Sequence, residues 1–161
     1  MSRTIVIYYT FEGNSGFAAE TAAALTGADS ERLRVKNEPP KSGLRKFLVG
    51  GGSALRGADP VLEPVGADLA AYDRVILAFP IWAGTFPPAV GAFLDRHSLA
   101  GKELWVIASS ASGKAGKSAQ NVAAKAGAPV RGVLSLLSPL KHKEQAAEQI
   151  REFVRAQGLT E

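Results

Sequence analysis

A turn of small and hydroxylated residues near the start of the chain, Thr10-Phe11-Glu12-Gly13-Asn14-Ser15, has the composition of a phosphate-binding loop. It follows an apolar run (4–9) and precedes an alanine-rich segment (16–25) that predicts a helix. A strand, a tight turn and a helix N-terminus together offer backbone N–H groups, hydroxyls and positive potential to a phosphate. Gly13 permits close backbone approach, and Asn14 or Ser15 is a natural N-cap. An ordinary turn with a capped helix has the same pattern, so this turn alone does not distinguish a phosphate site from an ordinary turn.

The rest of the chain alternates apolar strands with helical segments. We predict strands over residues 4–9, 31–35, 74–79, 104–109 and 130–137, and helices over 14–25, 86–96, 117–125 and 144–157. This rhythm predicts right-handed crossovers and a parallel sheet with helices on both faces. Five strands fit a doubly wound α/β fold of order 2-1-3-4-5, in which ligands bind at the carboxyl ends of strands one, three and four. Residues 1–161 then form a single domain.

Helical spacing predicts which residues of two helices face the sheet. In the first helix they are Phe17, Ala18, Thr21, Ala22 and Leu25. In the last helix they are Ala147, Ile150, Phe153 and Val154.

Loops of unusual composition also follow strands three and four. Their sequences are Pro80-Ile81-Trp82-Ala83-Gly84-Thr85 and Ser109-Ser110-Ala111-Ser112-Gly113. In the predicted strand order these two loops and the first turn meet at one edge of the sheet. That convergence favours a ligand site over an ordinary turn.

The three loops resemble those of the flavodoxin family, which binds flavin mononucleotide (FMN). The first is similar to the family's phosphate pattern, Thr/Ser-x-Thr-Gly-x-Thr/Ser, with Glu12 where a threonine is commonest. The second is similar to the Pro-x-Trp segment that lies beside the flavin ring, and the third stands where the family covers the other side of the ring. The resemblance extends over nearly the whole chain and implies a flavodoxin-like fold.

The resemblance implies that FMN is the cofactor and that these loops hold it. The implied contacts are Thr10, Glu12, Gly13, Asn14, Ser15, Pro80, Ile81, Trp82, Ala83, Gly84, Ser109, Ser110, Ala111, Ser112 and Gly113. Trp82, in a loop, is expected to stack on the flavin, whereas Trp105, in mid-strand, is expected in the core. Glu12 is expected to bind through its backbone N–H with its carboxylate turned outward. A glycine beside the ring would let a peptide rotate when the flavin is reduced.

Two functions of different class fit an FMN site. The first is an electron carrier between redox partner proteins, favoured because the chain is short and its loops show no general acid or base. The alternative is an FMN-dependent NAD(P)H oxidoreductase that reduces a quinone or similar acceptor. Family carriers are usually acidic, whereas this chain carries a net charge of +4, so either its partner proteins are acidic or its role differs from that of a general carrier. The charges are dispersed, which gives little support to nucleic-acid binding.

The composition of the chain argues against several other classes of protein and site. The chain has no cysteine, which excludes disulfides, thiolate zinc sites and cysteine nucleophiles. It shows no leader sequence and no apolar run of roughly 18 residues, so a cytoplasmic protein without a membrane segment is expected. His97 and His142 are solitary, which predicts no metal site. Asp95 and His97 also lack a serine partner for a hydrolase triad.

Residues 111–118 (ASGKAGKS) give a competing signal, because they satisfy a relaxed Walker A pattern with Lys117 and Ser118 in the phosphate and magnesium roles. No later strand ends in an aspartate that could hold the magnesium ion, so nucleotide hydrolysis is the weaker interpretation. A receiver domain shares the strand order but needs acidic residues where Tyr9 and Phe79 stand.

Residues 41–64 form a glycine-interrupted region that predicts a broken helix or a flap. It is either a source of specificity or a surface insertion without a role.

Overall fold

Five parallel strands form one sheet, in which the second strand of the chain lies at one edge and is followed by the first, third, fourth and fifth. The computed structural model describes residues 2–38 and 60–160. The strands are β1 (Thr4–Tyr8), β2 (Asp29–Arg32), β3 (Arg74–Pro80), β4 (Glu103–Ser110) and β5 (Val130–Leu137). The helices are α1 (Asn14–Thr26), α2 (Pro88–Arg96), α3 (Ser118–Ala126) and α4 (Lys143–Ala156), with a short 3₁₀ helix at Leu69–Ala71. The predicted strand order is confirmed.

Alternate residues of the central strands supply two separate cores, one on each face of the sheet. On one face Ile7, Leu77 and Val106 pack with residues of α2 and α3, including the fully buried Phe93 and Val122. The opposite face packs against α1 and α4, which contribute mainly alanines and Ile150. Continuous apolar strands are typical of a parallel sheet that is covered on both faces, because neither side of the strand meets water.

Trp105 lies in the second core, as predicted, and is 3% exposed. Its indole Nε1 donates a hydrogen bond to Gln157 Oε1 at 3.0 Å. The polar atom of a buried indole needs such a partner, so Trp105 links β4 to the end of α4.

The predicted buried faces of α1 and α4 are partly wrong. Alanines 18, 19 and 22 and Thr26 are buried in α1, whereas Phe17, Thr21 and Leu25 are only partly buried. In α4, Ala146 is buried in place of Ala147, and Phe153 is partly buried. The reason is that α1 packs closely against α4, and small side chains let the two helices approach each other.

The second strand, at the edge of the sheet, begins two residues and ends three residues earlier than predicted. Leu33, which was assigned to it, instead follows the strand and donates its N–H to Tyr8 O at 2.7 Å. Val35 forms an isolated antiparallel bridge with Leu62. An edge strand with few apolar residues carries a weak sequence signal, because one side of it faces water. Most of the predicted insertion at 41–64 lies outside the described residues.

Within the part of the chain that the structure describes, no helix is long and apolar enough to cross a membrane.

Candidate functional site

A crevice of about 260 Å³ opens at the carboxyl ends of β1, β3 and β4. The residues that line it are Thr10, Phe11, Glu12, Asn14, Ser15, Pro80, Ile81, Trp82, Ser109, Ser110, Ala111 and Ser138. Its position is the one expected for a doubly wound sheet, where adjacent crossovers leave the sheet in opposite directions. Its volume is close to the lower end of the range for small-molecule pockets, roughly 300 Å³.

The turn between β1 and α1 leaves hydrogen-bond donors free at the crevice. Gly13 precedes the helix with a φ of 101°, and no side chain caps the helix end. The first bond of the helix runs from Phe17 N to Gly13 O, at 3.0 Å. The N–H groups of residues 14–16 therefore precede the intrahelical ladder and point toward the helix N-terminus.

The expected cap by Asn14 or Ser15 is wrong, for a reason that lies far along the chain. Asn14 Oδ1 accepts a hydrogen bond from Leu140 N, at 3.0 Å, in the loop that follows β5. Thr10 Oγ1 accepts one from Gly13 N at 3.1 Å, which closes the turn from the strand side. Both contacts fix the shape of the turn without using the N-terminal N–H groups of the helix.

Two hydroxyls that line the crevice are buried and have no hydrogen-bond partner. Ser15 is 1% exposed and Ser109 is 2% exposed, and the Oγ atom of each is unsatisfied. A buried polar atom without a partner costs about 1–3 kcal/mol, so such atoms are uncommon in folded proteins. Together with the free helix end, they fit an oxygen-rich anionic ligand such as a phosphate ester.

Trp82 forms the aromatic wall of the crevice. Its indole is 7% exposed and packs edge-on against Tyr9, with ring centroids 5.7 Å apart, and against Phe11, with centroids 6.0 Å apart. Tyr9 in turn donates its hydroxyl hydrogen to Glu38 Oε1 at 2.5 Å. Burial, followed by this bond to Glu38, raises the pKa of the Tyr9 phenol far above its ordinary value. The phenol is therefore neutral at physiological pH.

The residues after Trp82 form a two-residue hairpin turn. Trp82 N donates to Thr85 O at 2.9 Å, and Thr85 N donates to Trp82 O at 3.1 Å. Ala83 and Gly84 both have positive φ, 50° and 79°. That combination is the type I′ turn that favours tight hairpins, although an alanine at its first position is unusual. The Gly84 carbonyl accepts a hydrogen bond from Lys117 N at 3.1 Å.

The Walker-like residues 111–118 do not form an open phosphate cradle. Lys117 N is bonded to Gly84 O, and Ser118 N donates to Ala115 O at 3.2 Å. Ser110 Oγ also accepts from Lys114 N, at 3.0 Å, which folds the loop back on the end of β4. A P-loop binds phosphate with backbone N–H groups, and here those of Lys114, Lys117 and Ser118 are bonded within the protein.

The structure places ten of the fifteen predicted contact residues on the crevice wall. The five outside it are Gly13, Ala83, Gly84, Ser112 and Gly113, which lie in the adjoining turns. Glu12 lines the crevice, and its side chain is exposed, in keeping with an outward carboxylate.

Sequence reasoning missed two crevice residues, Phe11 and Ser138. Phe11 lies within the first turn, residues 10–15, but it is the apolar residue there and does not match the phosphate-binding pattern. Ser138 follows β5 with a φ of 37°, and its N–H donates to Ser110 O at 3.0 Å. Its position one residue after a strand end is the signal that could have identified it.

The described residues contain no cluster of three or more acidic or histidine side chains that could hold a metal ion. His97 instead stacks on Phe93, with ring centroids 4.9 Å apart, at the end of α2.

We compared the chain with known protein families and with solved structures. A family described as NADPH-dependent FMN reductase matches residues 10–148. The chain belongs to this family. The match includes all three loops of the crevice, and it confirms the expected flavodoxin-like relationship. No curated protein sequence matches the chain.

Solved structures with the same fold are related to the chain at low identity. A Bacteroides eggerthii protein described as a candidate flavoprotein has a TM-score of 0.79 at 21% identity, covering 97% of this chain and 98% of its own. A Lactobacillus acidophilus flavoprotein, solved in complex with FMN, has a TM-score of 0.67 at 18% identity, covering 89% and 98%. Oxidised flavodoxin 2 from Bacillus cereus has a TM-score of 0.60 at 19% identity, covering 96% and 97%. These likenesses confirm the flavodoxin-like fold, and the family supports FMN as the cofactor.

Proposed function

We propose that this protein is an FMN-dependent oxidoreductase that takes electrons from NADPH and passes them to a quinone or a similar acceptor. The observation that carries the proposal is the match to the FMN reductase family across residues 10–148, which spans every loop of the crevice. In the overall reaction NADPH gives up a hydride, and a quinone gains two electrons and two protons to become a hydroquinone.

The crevice residues suit the two ends of FMN. Ser15 Oγ and the first N–H groups of α1 are free to donate to the phosphate, which is held by neutral dipoles because residues 10–15 include no lysine or arginine. Trp82, supported by Tyr9 and Phe11, offers an apolar wall to the ring. Ser109 Oγ, buried on the crevice wall, is a further free donor.

Bound FMN supplies the hydride chemistry, and the chain supplies binding, orientation and exclusion of water. Among the described residues that line the crevice, Glu12 is the one with an ionisable carboxylate, and it is exposed. Among the described lining residues none is a buried carboxylate, histidine or lysine, and we propose that the protons come from solvent.

A second candidate function, the electron carrier, is favoured by exposed apolar residues beside the crevice. Leu137 is 46% exposed and Leu140 is 38% exposed, and Leu140 is bonded to Asn14 of the first turn. Exposed apolar side chains near a redox site suit contact with a partner protein.

Anaerobic mixing of the FMN-loaded protein with NADPH tests the choice between these functions. The reductase predicts rapid loss of the visible flavin absorbance, faster than for free FMN at the same concentration. If the bound flavin is reduced by dithionite but by neither NADPH nor NADH, the reductase proposal fails and the carrier is favoured.

A further inference from the structure

The loop from Ser110 to Lys117, whose sequence is typical of a nucleotide-binding motif, contacts the Trp82 hairpin. Lys117 N donates to Gly84 O at 3.1 Å. Asn121 Nδ2, one turn into α3, donates to Thr85 Oγ1 at 2.8 Å. The loop and the helix behind it therefore hold the C-terminal side of the hairpin, at residues 84 and 85.

Gly116 allows this contact because it has no side chain. A Cβ atom at Gly116 would lie 2.5 Å from Gly84 O and 3.1 Å from Gly84 C. Real Cβ atoms do not approach a backbone carbonyl this closely, so any other residue at position 116 must displace the hairpin or the loop. Gly116 also has a φ of +57°, a conformation that glycine adopts most readily.

The hairpin needs an external support because its own backbone is strained. Ala83 lies in the left-handed region with a φ of 50°, and left-handed residues other than glycine persist only where the surrounding structure holds them. Ala83 and Gly84 are both exposed, so packing around the turn does not supply that hold. The two backbone bonds between Trp82 and Thr85 close the turn, and the bonds from Lys117 and Asn121 hold it from outside.

We propose that the β4–α3 loop is a brace for the Trp82 hairpin, and that Gly116 is a positioning residue for flavin binding. The connection to the crevice is short. Trp82 and Thr85 are joined by two backbone hydrogen bonds, so a shift at Gly84 moves the backbone that carries the indole. The part of this proposal that concerns flavin rests on the proposed function, whereas the brace itself does not.

Gly116→Ala is tested against Gly127→Ala, which is a matched control at the other end of the same helix. Gly127 has a φ of +65°, similar to that of Gly116, but a Cβ there would meet nothing within 4 Å. Both variants carry the backbone strain of a left-handed alanine, and only Gly116→Ala pushes on the hairpin. We expect Gly116→Ala to raise the Kd for FMN about tenfold or more, and Gly127→Ala to leave it within about twofold. Equal Kd values for the two variants would overturn the role in flavin binding.

Tryptophan emission separates the brace from the flavin. In a Trp105→Phe background Trp82 is the one tryptophan of the chain. We expect Gly116→Ala, and not Gly127→Ala, to shift the emission maximum of the FMN-free protein to longer wavelength. An unchanged maximum refutes the brace, while a shifted maximum in a protein that binds no FMN keeps the brace and refutes the proposed function.

Milder variants cover the case in which Gly116→Ala does not fold. Thr85→Val removes the acceptor of the Asn121 bond while keeping the shape of the side chain, and Thr85→Ser keeps the acceptor. We expect Thr85→Val to weaken FMN binding about threefold and Thr85→Ser to restore it. Equal affinities for the two variants would contradict the brace.

Discussion

The turns after β1 and β4 both match a phosphate-binding pattern, and the structure uses them in opposite ways. Both contain glycine and serine, and both lead into a helix. In the first, the N–H groups at the start of α1 and the hydroxyl of Ser15 have no partner within the described protein. In the second, Lys117 N and Ser118 N are bonded to Gly84 and Ala115. The first turn is open to a ligand, and the second is closed on the protein.

The difference shows that a phosphate motif specifies a local shape but not what occupies it. The second turn lies against the Trp82 hairpin, which supplies a carbonyl where a P-loop would receive a phosphate oxygen. The first turn faces the crevice, and within residues 2–38 and 60–160 no protein group accepts from the N–H groups of residues 14–16 or from the Ser15 hydroxyl. A phosphate motif therefore indicates a binding site only when the structure shows that no neighbouring element of the protein occupies it.

Removing the Ser15 hydroxyl is expected to give the largest effect. Ser15→Ala deletes a donor to the phosphate, and a hydrogen bond to a charged group contributes about 1.5–3 kcal/mol. We expect the Kd for FMN to rise roughly 10- to 100-fold. Because the hydroxyl is unsatisfied without ligand, the free energy of unfolding of the FMN-free protein should stay the same or increase.

Ser118→Ala is the control for that variant. Ser118 is also the buried serine of a first helical turn, and its Oγ also has no partner, but it belongs to the closed turn. Its removal should leave the Kd for FMN within about twofold and should likewise not destabilise the FMN-free protein. If the two variants weaken FMN binding equally, the distinction between the turns is wrong.

Tyr9 connects the open turn with the Trp82 hairpin, and its raised pKa predicts an effect at alkaline pH. The unfolded chain loses the phenolic proton near the ordinary pKa of 10.0, while the folded protein keeps it. The stability that the neutral phenol contributes is therefore complete below pH 10 and decreases above it, by up to about 1.4 kcal/mol per pH unit.

Urea unfolding of the wild type and Tyr9→Phe between pH 8 and pH 11 measures this effect. The wild type should lose its stability advantage over the variant as the pH rises above about 10. Tyr72 also has a raised pKa, because of its bond to Asp29, but it is present in both proteins and cancels in the difference. A difference that does not change with pH would contradict the burial of Tyr9 as described.

The smallest effect is expected from Lys117→Ala. Lys117 holds the hairpin through its backbone N–H, and its side chain is exposed. At physiological ionic strength an exposed charge contributes little beyond about 8 Å. We expect the Kd for FMN to change by less than about twofold. A tenfold increase would mean that the closed turn contributes charge to the ligand.

Much of the fold could be predicted because its strands are continuous apolar runs. The bounds of β5 are as predicted, and those of β1, β3 and β4 differ by a residue at one end or both. Prediction was less accurate where local pattern and long-range packing compete. The edge strand β2 carries few apolar residues, and the buried face of α1 is chosen by its contact with α4 rather than by its bulkiest side chains.

The position of the candidate site could be predicted from the sequence, but the hydrogen bonds that shape it could not. Strand order alone brings the three loops together. The cap of α1 could not be predicted, because Asn14 is bonded to Leu140, 126 residues away. Ser138 follows the end of β5 directly, which marks it as a residue of the same sheet edge, but its hydrogen bond to Ser110 depends on packing between the two loops.

The most direct test compares the affinities of the purified protein for FMN and for riboflavin, which has the same ring and no phosphate. An open first turn predicts that FMN binds with one-to-one stoichiometry and with a Kd about 100-fold or more below that of riboflavin, because two or more hydrogen bonds to a charged phosphate are lost. Equal affinities, or no binding of FMN, would contradict a phosphate site at residues 10–15.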